Sequence, residues 1–385
     1  MTKLNLNNVV VTDHDFERYT AICCSGGIGT TKTKYVGYEM VCGCELLLDR
    51  WRFCSAINPQ VGEGLICGDF TKNIEKIAKL HIQRGAKGLV ITLPCQSMSL
   101  AGGQHLDDPL TWLFLDALEL CKTIYKLSPE HLEWVKWENC PYFISDKQDP
   151  IITDRLDGKT ILQTITEVMN RLDMDVNAKV LNACFYDTAQ SRKRGIILCR
   201  KLKRWEMPEP SELPLTCGEV IGDRTKFEYL DSSHRRSATN EFQRIDYVSP
   251  VQEAFIRKIK SGMSAFKCMD RSLIVNPDGM PSQAQHINSS YGRNSYNHPT
   301  HTITQGSDSL CGDWTLHPGE DLGNGEYSDP RPYSIAEIFA LTGLDDNFIK
   351  AIPTWARSND KLLRQLCGEA LMPNLLAHCL STLNK

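Results

Sequence analysis

Three short segments of this 385-residue chain set chemistry-bearing side chains at the ends of predicted strands. The β-branched run Lys87–Leu93 (KGLVITL) leads straight into Pro94-Cys95-Gln96. A cysteine at the C-terminal end of a central parallel strand lies where α/β sheets place active sites. Pro94 fixes the backbone just before it. The following loop, SMSLAGGQHLDD, is small, polar and glycine-containing, as a segment that moves over a substrate would be. The next strand ends in Trp137-Glu138-Asn139-Cys140, which puts Glu138 on the same rim of the sheet. Gln190-Ser191-Arg192-Lys193-Arg194 then opens the strand RGIILC. Arginines at i and i+2 on a strand share a face, so Arg192 and Arg194 are expected side by side, suited to an anion, a carboxylate or a base carbonyl. Taken singly, each segment also has a plain reading: one more buried cysteine, a solvated carboxylate or helix cap, a basic surface turn.

A second group of residues suits a nucleoside. The first predicted strand leads into Ser25-Gly26-Gly27-Ile28-Gly29, and a glycine turn there lets a cofactor approach the backbone. The second strand ends in Glu45, at the spacing of a ribose-binding carboxylate. The third is followed by Gly68-Asp69-Phe70, where Asp69 can accept from an adenine amine. There is no pyrophosphate-binding GxGxxG.

These residues need a sheet to hold them. Apolar runs at Tyr19–Cys24, Tyr38–Glu45, Gly64–Gly68, Lys87–Leu93, His131–Trp137, Lys179–Ala183 and Gly195–Cys199 read as strands. Pro109–Leu127 and Asp157–Leu172 read as helices between them. That alternation predicts an α/β fold with a mostly parallel, Rossmann-like sheet. Pro208, Pro210 and Pro214 mark a boundary near residue 205, beyond which 206–330 is irregular and rich in Ser, Asn, Asp and Gly. Helical periodicity returns at Ser334–Leu341 and Leu371–Leu383.

Composition narrows the alternatives. Apolar residues are 41% and charged residues 23%, as in a folded globular protein rather than a disordered one. The net charge of −4 means that any polyanion site must be a local basic patch. The polar N-terminus, MTKLNLNNVVVTDHDFERY, has no apolar signal core, and no run approaches a membrane span, so export and membrane insertion are not expected. The 16 cysteines contain no C-x-x-C pair and are read as reduced thiols. His298-x-x-His301 lacks further ligands, and no metal site is expected.

In chain order, S-G-G-I-G, E, G-D, P-C-Q, E-N and Q-x-R-x-R resemble the blocks of the cytosine-C5 DNA methyltransferases. Asp108–Phe114 (DPLTWLF), His298–Thr304 (HPTHTIT), Arg331–Phe348 and Arg364–Leu383 are similar to further blocks of that family. The sequence departs from the family in having Cys23 and Cys24 where an aromatic usually precedes the glycines. It also has Thr92-Leu93 before P-C-Q, Leu110 for Arg, and Glu369 for Asn. The resemblance implies a DNA (cytosine-5-)-methyltransferase using S-adenosylmethionine. Cys95 would be the thiol that adds to C6 of a flipped cytosine. Glu138 would contact N3 and the exocyclic amine, and Arg192 and Arg194 would hold O2 and orient Glu138. Gly27, Gly29, Glu45, Asp69, Phe70 and Leu113 would hold the cofactor, while Pro94, Gln96, Asn139, Gln190 and Thr304 would line the substrate side.

The domains implied are a catalytic, cofactor-binding domain at 1–205, completed by 355–385, a smaller target-recognition domain at 206–330 and a hinge at 331–354. Arg224, Lys226, Arg235, Arg236, Arg244 and Arg271 are the cations available for double-stranded DNA, most of them also readable as ordinary solvated charges. The expected setting is the cytoplasm of a bacterial or phage-infected cell. The protein is expected to be a monomer, either solitary or paired with a restriction endonuclease. Two other readings remain open. In a tRNA-methylating relative a C-F-T signature would be needed, whereas here Cys184-Phe185-Tyr186 lacks the threonine. In a non-catalytic DNA-binding relative the intact P-C-Q, E-N and Q-x-R-x-R blocks would have no use.

Overall fold

The computed structural model describes residues 16–22, 26–99, 103–231, 236–245, 248, 250–268, 278–280, 291–304 and 314–383. Cys23, Cys24, Ser25, Arg235 and Arg271 lie outside the described residues. The chain forms two compact units. The first comprises Met1–Ala183, Lys193–Pro210 and Ala370–Lys385, the second Cys184–Arg192 and Ser211–Glu369. This division differs from the sequence expectation in giving 331–354 to the second unit and starting the return to the first at Ala370 rather than 355.

The first unit is built on one seven-stranded sheet. Its strands are β1 (Glu17–Ile22), β2 (Tyr38–Glu45), β3 (Leu65–Cys67), β4 (Gly88–Thr92), β5 (Trp134–Asn139), β6 (Met174–Asn182) and β7 (Lys193–Lys201), in the order β3-β2-β1-β4-β5-β7-β6. All pairings are parallel except those of β7, which is antiparallel to both β5 and β6. The strand order reverses between β1 and β4, and open α/β sheets bind ligands outside the carboxyl ends of the strands at such a reversal. Both the glycine turn and Pro94-Cys95 leave the sheet at this point.

Burial explains why these residues form these elements. Every residue of β4 is buried, as a central parallel strand covered on both faces requires. The described helices are α1 (Leu48–Ile57), α2 (Ile74–Gln83), α3 (Leu113–Leu127), α4 (Pro150–Arg155), α5 (Ile161–Arg171) and, in the returning segment, Pro373–Ser381. In α3, Phe114, Ala117, Leu118, Cys121 and Ile124 recur at helical spacing on the buried face. They join Leu89, Ile91, Val135 and Trp137 of the sheet in one core. Each large side chain so buried contributes about 1.5–3 kcal/mol. A capping box between Thr160 and Gln163 starts α5.

The second unit is less regular. Its described elements include helices Pro250–Arg257, Ile335–Thr342 and Asp360–Glu369, and a parallel pair of short strands, Tyr291–Arg293 and Trp314–Leu316. A small core of Val248, Ile256, Ile259, Ala265 and Leu316 sits in it. Beside that core is a buried charge cluster. Arg331 Nη2 lies 2.7 Å from Asp329 Oδ1 and its Nη1 2.7 Å from Glu337 Oε2, with all three side chains fully buried. Glu337 also closes a capping box with Ser334 at the start of its helix. These ties lie within the second unit.

Candidate active site

The parallel register places Thr92 opposite Glu138, the last but one residue of β5. The two chains therefore leave the sheet together, one into Pro94-Cys95 and the other into Asn139-Cys140. Asn139 ties them: its Nδ2 donates to the Leu93 carbonyl at 3.3 Å, while its Oδ1 accepts from the Cys140 backbone at 2.7 Å. The Cys95 carbonyl accepts from the Met98 and Ser99 amides, closing a tight turn after P-C-Q. Pro94 and Cys95 are half-buried and Gln96 is exposed.

Glu138 is buried, and Arg194 Nε lies 2.9 Å from its Oε1. A charge-assisted contact of this kind fixes the carboxyl in one orientation. Cys140 is the other thiol at this rim. Burial, and then the neighbouring Cys95, push it up to about 11, so it stays protonated at neutral pH. Cys95 is the accessible one of the two.

Among the described residues, Arg194 and Arg192 bond to different groups. β7 begins at Lys193, so strand alternation does not extend back to Arg192. Arg194 turns to Glu138 in the first unit. Arg192 is buried in the second, with Nη1 donating to the Ile303 carbonyl and Nη2 to the Gly368 carbonyl, each at 2.9 Å. Gln190 belongs to the same lacing. Its Oε1 accepts from the Ile303 amide at 3.0 Å, and its backbone bridges Thr300. Thr302 Oγ1 donates to the Ser191 carbonyl at 2.9 Å, and Thr304 is half-buried at the end of this segment. In the second unit, Q-x-R thus grips the T-I-T segment.

The nucleoside-binding candidates gather at the ends of β1, β2 and β3. Gly26 and Gly27 have φ of 65° and 79°, a left-handed turn that favours glycine. The Gly26 amide donates to Glu45 Oε1 at 2.9 Å. A Cβ on Gly29 would meet Leu371 at 3.0 Å, so this glycine also lets the returning C-terminal segment close in. Asp69 accepts from the amide and hydroxyl of Thr71, capping the turn after β3. Phe70 is buried in the core and Leu113 packs against it.

Further groups here were not legible in the sequence. Asp116, in the first turn of α3, is raised above the usual carboxylate range by burial and then by the charge of Asp69. Thr111 Oγ1 and Trp112 Nε1, just before Leu113, are buried without a hydrogen-bond partner among the described residues. Such orphaned groups are costly unless a ligand meets them. The glycine turn and the Glu45 and Asp69 carboxyls fit a cofactor carrying a ribose and a base amine.

Among the possible DNA-binding cations, Arg224 and Arg244 are committed within the second unit. Arg224 stacks over Tyr229 and pairs with Asp329 at 3.3 Å. Arg244 Nε bonds Asp360 at 2.9 Å. Lys226 and Arg236 are exposed. Among the described residues, no group of three His, Cys, Asp or Glu could hold a metal ion, and no helix is long and apolar enough to cross a membrane.

A Rossmann-like sheet with a cysteine, a clamped glutamate and a nucleoside-type turn along one carboxyl edge defines a nucleoside-cofactor transferase. Residues 21–385 match the family described as C-5 cytosine-specific DNA methylase. The chain belongs to this family, whose members transfer a methyl group from S-adenosylmethionine to C5 of cytosine in DNA. It is 27% identical over 371 residues to the type II methyltransferase M1.HgaI of Avibacterium volantium, covering 91% of this chain and 94% of that one. Its fold is similar to that of the Entamoeba histolytica methyltransferase EhMeth, with a TM-score of 0.60 and 13% identity over 95% of this chain and 97% of that one. It is also similar to a Spodoptera frugiperda DNMT2 mutant, with a TM-score of 0.59 and 12% identity over 96% and 100% of the two chains.

Proposed function

We propose that Cys95 is the nucleophile of this methyltransferase and that it acts on a cytosine flipped out of double-stranded DNA. The ring of cytosine is a weak electrophile at C6. Addition of the Cys95 thiolate there forms a C–S bond and shifts electron density to C5, which becomes the methyl acceptor. S-adenosylmethionine supplies the methyl group. Loss of the C5 proton to a base then expels the sulfur and restores the ring. Glu138 meets the N3 and amine edge, and a proton given to N3 neutralises the charge that addition pushes into the ring. Arg194 holds Glu138 in place, and Asn139 keeps the two strand ends in register. Arg192 and Gln190 act at one remove, by holding the 300–303 segment. Glu45, Asp69 and the Gly27–Gly29 turn receive the cofactor, with Leu113, Thr111 and Trp112 beside them.

The observation that carries this reading is the ladder between β4 and β5, which sends Cys95 and the Arg194-clamped Glu138 out of one edge. The likeness to a type II methyltransferase supports a role in a restriction–modification system, with a cognate endonuclease as partner. We take the protein to act as a cytoplasmic monomer. Bisulfite sequencing of DNA from expressing cells is expected to show 5-methylcytosine within one short sequence. A duplex with 5-fluorocytosine at that position should become covalently attached, and Cys95→Ser should abolish the adduct. An adduct that persists in the serine variant would assign the chemistry to another residue.

A further inference from the structure

The chain that leaves β5 past Glu138 and Asn139 turns through Pro141–Ile144 and then forms α4, so α4 stands at the same carboxyl rim of the sheet as Cys95. Its place there is fixed by hydrogen bonds. Gln148 Nε2 donates to the Tyr142 carbonyl at 2.9 Å, and the Asp149 amide donates to the Tyr142 hydroxyl at 2.8 Å. The Asp149 carboxylate then caps the helix by accepting from the Ile151 amide at 2.9 Å. α4 ends in Arg155, whose guanidinium lies over the Trp112 ring at 4.0 Å. Trp112 comes just beyond the loop that follows P-C-Q. It is buried against Phe114, and Phe114 meets Phe143 of the turn after β5. The cation therefore rests on an aromatic base shared by the two segments that carry Cys95 and Glu138 out of the sheet.

A guanidinium stacked on a ring keeps its N–H edge free for a planar anion. Arg155 is exposed, and among the described residues no carboxylate pairs with it. By contrast, Lys159 and Arg171 nearby in the chain are both committed to Glu167. Leu110, two residues before Trp112, stands where the family has an arginine, so a guanidinium reaches this part of the rim from α4 instead. In a chain of net charge −4, a polyanion must be met by local cations held in this way.

We propose that Arg155 is a DNA-backbone contact, donating through its guanidinium edge to a phosphate beside the target cytosine. This rests on the reading that brings the cytosine to Cys95. A guanidinium–phosphate pair is charge-assisted and directional, so it fixes the position of the strand while carrying no base information. The indole orients the fork before DNA arrives, which lowers the side-chain entropy lost on binding.

The test titrates the full-length protein, with S-adenosylhomocysteine present, against a fluorescent duplex carrying its recognition sequence at several salt concentrations. Each phosphate contact contributes about 0.9 to the slope of log affinity against log salt. Arg155→Gln should lower that slope by about one contact, weakening binding about fivefold at roughly 50 mM salt but only about 1.5-fold at roughly 200 mM. Arg155→Lys, which keeps the charge, should restore the slope and part of the affinity. The thermal midpoint and the affinity for S-adenosylhomocysteine should stay at the wild-type values. An unchanged slope would overturn the proposal, whether it came with a lower midpoint, as for a residue that only covers the indole, or with weaker cofactor binding, as for a cation that serves the cofactor. The fluorocytosine adduct separates this result from the assignment of the nucleophile. Arg155→Gln should still form it at saturating DNA, and an adduct that survives Cys95→Ser would displace Cys95 without altering the salt dependence read for Arg155.

Discussion

At the scale of the residue, the two arginines of Q-x-R-x-R do different work. Arg194 neutralises and aims a buried carboxylate. Arg194→Ala leaves Glu138 uncompensated and unaimed, a loss of roughly 1.5–3 kcal/mol for a charged hydrogen bond. Methyl transfer at saturating cofactor should therefore fall about 10- to 100-fold, and the thermal midpoint should also drop, because the fold loses the partner of a buried carboxylate. Arg192→Ala should do the reverse in emphasis. It orphans the Ile303 and Gly368 carbonyls and empties a buried site, so unfolding temperature should drop clearly. Calorimetry and initial rates on the same samples check this, and equal behaviour of the two variants would contradict it. The sequence shows why one role was legible and the other was not. Cys95 and Glu138 end consecutive apolar strands, so local pattern locates them. The partners of Arg192 lie 111 and 176 residues away, and no spacing rule reports them.

At the scale of the element, strand interiors were readable and strand ends less so. β4 and β7 are apolar throughout their centres and were located from their β-branched runs. β6 begins at Met174, five positions before its expected start, because this edge strand keeps Asp175, Asn177 and Lys179 partly exposed and so shows no apolar run. β5 extends to Asn139, which puts Glu138 on the ladder rather than in the loop beyond it. One residue of β4 is fixed by packing alone. Gly88 pairs with Trp134, and a Cβ there would stand 1.9 Å from the indole. The indole cannot swing aside, since it is packed against Tyr19, Tyr38 and Trp205 and donates to Glu17 at 2.7 Å. Gly88→Ala should then cost about 3 kcal/mol, at the upper end of overpacking effects. At roughly 2–4 °C per kcal/mol for a unit of this size, the thermal midpoint should fall by about 6–12 °C. Trp134→Leu in the same background should return part of the loss. An unchanged midpoint in the single variant would mean that the strands are spaced differently here.

At the scale of the whole molecule, each unit buries one neutral histidine among the described residues, and together they make acid destabilising. In the first unit, Thr20 Oγ1 donates to His81 Nδ1 at 2.8 Å, and His81 Nε2 donates to the His131 carbonyl at 2.6 Å. Burial pushes this ring down to about 4. In the second unit, the Gly319 amide donates to His317 Nδ1 at 3.1 Å, and Nε2 faces Glu337 at 3.4 Å. Burial again dominates and pushes His317 down to about 4, against the pull of Asp329 and Glu337. A histidine in the unfolded chain titrates near 6.5. Between that value and about 4 the unfolded chain binds more protons than the folded one, so stability falls as pH drops through the window. By pH 5 the loss is roughly 2 kcal/mol for each ring. The carboxylates act in the same direction at lower pH: the Arg331 guanidinium holds Glu337 well below the usual carboxylate range despite burial, and its contribution is lost as pH falls below about 4.5. Urea unfolding at pH 7, 6 and 5 should show a falling midpoint. His81→Gln should flatten the decline in the transition of the first unit, and His317→Gln that of the second, whatever each does to stability at pH 7. A wild-type profile that stays level from pH 7 to 5 would mean that these rings are already charged in the folded protein, or reach water.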